Sequence, residues 1–373
     1  MKHEVLKEKT LALFFTCGVS LKTWHDVGMI DREVAVYNRL SEYFKRIYFF
    51  TYGDEGDLEY GSFLADNITV IPKKIFKNDL LYSVKLPGIH YNILRRADIL
   101  KTNQMYGAWS AALARLLWRK KLVVRSGYTW SIFFRNEFPG SLKQPFVNGV
   151  ERFAYRLADA AVNSSRGDYD YVEERYHPRR HWLIPNYVDT DVFKPLGGDK
   201  KTGSICCIGR LTAVKNLASL LEALRGLPYN VDIIGSGDQE AELKRLAADN
   251  NVKASFPGNI PNRDLPGIIS EHALYVLPSL WEGMPKTLLE AMACGAAVLG
   301  ANVAGIREVI KDGENGLLCG TDPSSIRKAV IRVMEDEPLR KKLGGNARKT
   351  IEEGYSLTKV VEQELELYEE LLG

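Results

Sequence analysis

The chain has 373 residues, 45% apolar and 26% charged, with 31 Gly and 15 Pro; this globular balance excludes a collagen-like or largely disordered protein and suffices for two domains with separate cores. The formal net charge is +3, yet residues 1–195 hold 29 Lys and Arg against 22 Asp and Glu, leaving 21 against 25 in residues 196–373. Cys17, Cys206, Cys207, Cys294 and Cys319 show no C-x-x-C spacing and four lie in apolar runs, which argues for buried thiols in a reducing compartment and against a disulfide framework.

In chain order, the polar start MKHEVLKEKT precedes ALFFTCGVS, a run too short to span a bilayer and lacking a small-residue cleavage site, so a cytoplasmic protein is expected. From Leu11 short apolar runs alternate with amphipathic stretches: LALFFT, the helix-like DREVAVYNRLSEYFK, then RIYFFTYG. The rhythm recurs as ADILKTN, GAWSAALARLLWRK, KLVVRSG, a helix through GVERFAYRLA and a strand at DAAVNSS. Residues 71–135 carry 13 basic and 2 acidic side chains interleaved with Tyr, Trp and Phe. Such a stretch suits an anionic membrane surface or a phosphorylated substrate; nucleic acid is not expected, because no recognised binding module accompanies the charge.

A junction follows at HWLIPNYVDTDVFKPLGGDKKTG, where Pro185, Pro195, Gly197 and Gly198 bracket an aperiodic stretch. Beyond it the alternation restarts: GSICCIGR, helix NLASLLEALRG, strand YNVDIIG, helix QEAELKRLAADN, strands ASFPG and ALYVLPS, helix KTLLEAMACG, strand AAVLGA and a helix from SSIRKAVIRVMED. The closing LTKVVEQELELYEELLG reads as a helix with one apolar stripe. The expected fold is α/β, with two doubly wound Rossmann-like domains facing across a cleft: residues 1–186, a hinge at 187–199, a second domain at 200–354, and a final helix at 355–373 packing back toward the first. Ligands of such sheets bind on loops after the strands.

The most specific segment is SLWEGMPKTLLEAMACGAAVLGANVAGIREVI. Glu282 ends a loop after an apolar strand, Gly283 permits close backbone approach, and Pro285 suits the first turn of a helix that carries Glu290 in its second turn. The first-turn N–H groups near Lys286, Thr287 and Leu288 form an anion site between the two carboxylates. In GRLTAVKN, Arg210 and Lys215 follow a strand at its carboxyl end, where an Arg fork and a Lys point charge suit a pyrophosphate. Gly235 and Gly237 in IIGSGDQEAELK make a strand-to-helix turn, which by itself is weak evidence of nucleotide binding.

E-x7-E followed by A-M-A-x-G, with IPNYVDTDVFKP and GRLTAVKN, resembles family 4 of the retaining glycosyltransferases, of GT-B fold, from about residue 10 to the end. The resemblance implies sugar transfer from a nucleotide diphosphate sugar to a glycan or lipid-linked acceptor, with retention and without metal or cofactor. It places Glu282 on the donor sugar hydroxyls, Glu290 on the ribose, Arg210 and Lys215 on the diphosphate, and the segment Gly283, Met284, Pro285, Lys286, Thr287 and Leu288 around the donor. It further puts Gly235 and Gly237 near the nucleotide, the main chain around Ile260 at the base, and Gly18 and Gly28 on the loop facing donor phosphate and acceptor. Where many relatives carry a His after KLVVRSGYTW's strand, this chain has Arg125, Ser126, Gly127 and Tyr128, which leaves the acceptor-side roles of Ser126 and Tyr128 open.

No H-E-x-x-H occurs, and Pro178 spoils a helix-face pairing of His177 with His181, so no metal is expected. Two other enzymes fit the same residues: a hydrolase using Glu282 and Glu290 as an acid and nucleophile, and a nucleotide-sugar epimerase of the same fold. A non-catalytic binding protein working through its basic face is the third alternative.

Overall fold

The structure, a computed structural model, describes residues 3–74, 76–198 and 201–373. The chain forms two compact units, Met1–Pro185 with Val360–Gly373 and Asn186–Lys359. The boundary expected at residues 199 and 200 lies outside the described residues.

The first unit is built on a parallel sheet of β1 (Thr10–Phe14), β2 (Arg46–Phe50), β3 (Ile68–Ile71), β4 (Ile99–Thr102), β5 (Lys121–Ser126), β6 (Ala160–Asn163) and β7 (His181–Leu183), in the order β3-β2-β1-β4-β5-β6-β7. The second carries β8 (Lys201–Ile208), β9 (Asn230–Ile234), β10 (Lys253–Gly258), β11 (His272–Leu277), β12 (Val298–Ala301) and β13 (Leu317–Cys319), in the order β10-β9-β8-β11-β12-β13. Central strands such as β4, β6, β11 and β12 are buried throughout, which is why they read as continuous apolar runs and not as alternating ones. Both sheets are doubly wound, as the alternation of runs implied. All five cysteines are free and buried.

Helix Leu357–Leu372 closes the chain, and from Val360 onward it belongs to the first unit. Val360, Leu367 and Leu371 lie on one buried face of it, together with Glu364. At its centre Glu364 accepts from Lys101 of β4, Nζ to Oε2 2.5 Å, with both side chains at most 2% exposed. Tyr368 donates to the same carboxylate, and Arg125 Nε lies 4.0 Å from its other oxygen. Burial works to raise the Glu364 pKa, but the charges of Lys101 and Arg125 outweigh it and hold the carboxyl below its usual range.

Helix Glu337–Gly354 was not apparent from the sequence, because Gly344 and Gly345 interrupt its pattern. Gly344 serves packing: a Cβ there would lie 2.3 Å from the carbonyl oxygen of Gly295. The helix therefore rests directly on the turn that ends helix Lys286–Ala293.

Candidate active site

In the second sheet the winding reverses between β8 and β11, so the loops leaving these neighbours diverge and open a crevice at their carboxyl ends. Arg210 and Lys215 lie on the loop after β8; Glu282 lies on the loop after β11. The two loops are joined by Leu280 N–H donating to the Val214 carbonyl at 2.8 Å. Across the same gap Lys215 Nζ stands 2.5 Å from Glu282 Oε1, an oxygen that also accepts from Ser279 Oγ at 2.7 Å. Arg210 is exposed, its guanidinium makes no hydrogen bond or ion pair among the described residues, and it lines one recess with Gly209, Lys215, Leu277 and Pro278. Two cations therefore share the crevice with one carboxylate.

Several residues hold this geometry. Asn216, at φ 55°, adopts the left-handed conformation that Asn tolerates, and its amide donates to the carbonyls of Pro278 and Thr321 at 3.1 and 2.8 Å. Gly235 and Gly237 have a packing reason beyond a tight turn: a Cβ would fall 2.0 Å from Gly209 O and 2.3 Å from Leu211 O respectively. That approach allows Leu211 N–H to reach Ser236 O at 2.9 Å, fixing the backbone on both sides of Arg210. Opposite, a Cβ on Gly305 would lie 1.7 Å from Gly283 O and 2.4 Å from Glu282 O, so the Glu282 loop rests on the bare backbone of helix Ala304–Arg307. Asn216, Ser279 and Gly305 were not singled out in the sequence; the one available signal was an Asn or Gly beside a strand end.

Helix Lys286–Ala293 follows with Pro285 as its N-cap at ψ 111°, one position earlier than the first turn expected for it. Leu288 N–H is engaged by the Pro285 carbonyl at 3.2 Å, so it drops out of the expected anion site, and the Leu288 side chain is core. Thr287 Oγ1 accepts from Tyr275 at 2.8 Å; burial keeps that phenol well above its ordinary pKa and hence a neutral donor. Glu290 is 1% exposed and receives Asn262 Nδ2 at 2.9 Å. Met284 is likewise buried, its carbonyl bonded to Asn186 Nδ2 at 2.8 Å, and Ile260 packs against the same core.

In the first unit the winding reverses between β1 and β4. Gly18 sits in the turn after β1 at φ 81°, and Gly107, after β4, lets the two loops touch through Cys17 N–H to Tyr106 O at 3.0 Å. Ser126 is fully buried and donates to the Tyr128 carbonyl, so it braces its own loop and presents no hydroxyl to a ligand, contrary to the acceptor-side expectation. Tyr128 is half-buried with its ring 5.2 Å from Phe133. Asp168 pins the loop by accepting from both the N–H and the hydroxyl of Thr129, at 2.7 and 2.6 Å. His181 is spent on structure, bonded to Glu173 and Asn163 at 2.7 and 2.8 Å and stacked on Tyr169. Among the described residues no group of three or more His, Cys, Asp or Glu is placed to hold a metal ion.

A doubly wound pair of units, one presenting paired cations and a carboxylate at its switch point, defines a GT-B glycosyltransferase. The glycosyltransferase family 4 profile matches residues 37–192 and the glycosyl transferases group 1 profile matches residues 188–350; the chain belongs to this family. It is similar to an uncharacterized glycosyltransferase of Methanocaldococcus jannaschii, 25% identical over 315 residues that span 79% of this chain and 80% of the relative. It is also similar to the UDP-Gal:alpha-D-GlcNAc-diphosphoundecaprenol alpha-1,3-galactosyltransferase of Escherichia coli, 30% identical over 53% of this chain and 56% of that one. Anabaena HepE, solved in complex with UDP and glucose, shares the fold with a TM-score of 0.78 over 96% of this chain and 99% of its own, at 16% identity.

Proposed function

We propose that this glycosyltransferase moves a sugar from a nucleotide diphosphate sugar to an acceptor with retention of configuration, using no metal ion. The observation that carries the reading is the Lys215–Glu282 pair spanning the β8/β11 switch beside exposed Arg210. Cleaving the anomeric carbon–phosphate bond builds negative charge on the departing diphosphate while the sugar gains oxocarbenium character. Arg210 would clamp the diphosphate as a fork, and Lys215 would supply a point charge within reach of both phosphate and Glu282. Together they do the charge neutralisation that a divalent ion supplies elsewhere. Glu282, fixed by Ser279, would accept from the sugar hydroxyls, and Glu290 would hold the ribose once its bond to Asn262 yields.

The acceptor attacks from the face the diphosphate leaves, and the leaving oxygen takes its proton, so no enzymic nucleophile is required. A lipid-linked glycan is the first acceptor class to try, since one relative is named for a diphosphoundecaprenol acceptor. The test is product analysis by NMR after incubation with α-linked nucleotide sugars and such acceptors in EDTA. An α-linked product formed in EDTA is expected; an inverted product, or a requirement for added metal, would overturn the reading. Free sugar epimerised without acceptor would favour the epimerase.

A further inference from the structure

Helix Leu21–Asp26 begins just beyond the Gly18 turn, and its first-turn N–H groups all find acceptors inside the first unit. Thr23 N–H donates to Ser20 Oγ at 3.0 Å and Trp24 N–H to the Ser20 carbonyl at 3.2 Å, while Ser20 N–H returns to Thr23 Oγ1 at 3.2 Å. The N–H groups of Leu21 and Lys22 donate to Oδ2 and Oδ1 of Asp57, at 3.2 and 3.1 Å. Asp57 belongs to the segment Glu55–Phe63 after β2, is 1% exposed, and makes no ion pair among the described residues. Lys22 turns its own ammonium to Asp26, Nζ to Oδ2 2.6 Å. A buried carboxylate without a cation is costly, and here the positive end of the helix offsets that cost. Gly53 makes room for it, since a Cβ there would lie 2.3 Å from Asp57 Cγ.

In doubly wound units the helix after the first strand is where a ligand's phosphate is received. An internal carboxylate fills that place in this chain, gripping two N–H groups with two oxygens. The adjoining turn is fixed as well: Cys17 N–H reaches Tyr106 O at 3.0 Å, Val19 N–H reaches Thr16 O at 2.9 Å, and Tyr52 N–H reaches Val19 O at 3.1 Å. From Cys17 to Trp24, the one main-chain N–H without an acceptor among the described residues is that of exposed Gly18. We propose that Asp57 is a positioning residue of the transfer reaction, an internal stand-in for a bound anion that sets the Gly18 turn and leaves its single open N–H for a substrate. The inference rests on the reaction proposed above and on the place that the family resemblance gives the Gly18 loop. With the helix N-terminus occupied, the turn is set before any ligand arrives, as a group that holds a reacting molecule through one donor must be. Were Asp57 a helix cap and nothing more, its loss would cost stability and leave the turnover of folded protein unchanged.

The test is steady-state kinetics of Asp57→Ala with the donor and acceptor that wild type turns over, at a temperature where circular dichroism shows the variant folded, together with calorimetric titration of the matching nucleoside diphosphate. A kcat lowered at least about tenfold, with the nucleotide Kd within about twofold of wild type, is expected. Sodium formate at about 50 mM, small enough to refill the vacated carboxylate position, should raise the variant's kcat at least about threefold, and sodium chloride at equal strength should not. Asp57→Asn keeps the shape and one acceptor oxygen; its kcat should fall at least about threefold, which keeps the test open if the alanine variant does not fold. Amide hydrogen exchange separates this inference from the reaction it rests on: Leu21 and Lys22 should exchange at least about tenfold faster in Asp57→Ala than in wild type, whether or not sugar is moved. A wild type without transferase activity sinks the proposed reaction, whereas unchanged exchange sinks the clamp. Either variant turning over within about twofold of wild type, nucleotide affinity falling in step with kcat, or no response to formate would also overturn the inference.

Discussion

Lys215 touches the Glu282 carboxylate, and on the proposed reading it also meets the diphosphate that Arg210 would clamp. Removing either cation should therefore act on charge developed during bond breaking more than on the fold. Arg210→Ala and Lys215→Ala are each expected to lower kcat by about 10²-fold, the usual cost of deleting one charge-stabilising donor. Turnover within a few-fold of wild type would reject the assignment. Gly305 makes no bond to a substrate in this account, yet a methyl group there would collide with Gly283 O at 1.7 Å. Gly305→Ala should displace the Glu282 loop and lower kcat by at least about tenfold. If steady-state kinetics show an unchanged kcat, the close packing does not position Glu282.

The closing helix is held at its centre by the buried Lys101–Glu364 pair. Cutting Glu364 to Ala strands the Lys101 ammonium in the core, at an expected cost of about 3–5 kcal/mol in urea unfolding; replacing both by apolar residues should restore much of it. Helix Asp79–Ile89 ends at His90, which burial and the nearby Lys74 charge hold down at a pKa of about 4 against an ordinary 6.5, with Nε2 3.0 Å from the Tyr82 hydroxyl. Because the folded value is depressed, the unfolded chain takes up the proton first as pH falls. Stability should decline from about pH 6.5 toward 4, and His90→Asn should flatten that part of a melting-temperature profile, a result no change in slope would refute. At this scale the sequence was readable wherever a strand or helix had one dominant period. It was not readable in Glu337–Gly354, whose Gly344 answers to a neighbour's backbone, or in Asp79–Ile89, which is apolar on both faces and contains Pro87. The edge strands Ile68–Ile71, His181–Leu183 and Leu317–Cys319 are too short to carry a period at all.

At the level of the whole molecule, two doubly wound sheets place chemistry at the ends of strands that neighbour each other where the winding reverses. Arg210, Lys215 and Glu282 were legible because charged residues at such strand ends are conspicuous against apolar runs. Asn216 and Gly305 were not, since one holds loops 62 and 105 residues away in the chain and the other makes room for a loop, which spacing cannot report; Ser279 was not, since nothing in the sequence shows that its hydroxyl turns to Glu282. Ser126 misled for the related reason that a hydroxyl's partner is invisible in sequence. The central claim is that the β8/β11 crevice takes a nucleoside diphosphate through its own cations. It is tested most directly by calorimetric titration of UDP, GDP and ADP, in EDTA, into the wild-type protein and into Lys215→Ala and Arg210→Ala. One nucleotide binding wild type, with each variant weakened at least about tenfold, is the result expected. No binding by any of the three, or equal affinity in all three proteins, would contradict it.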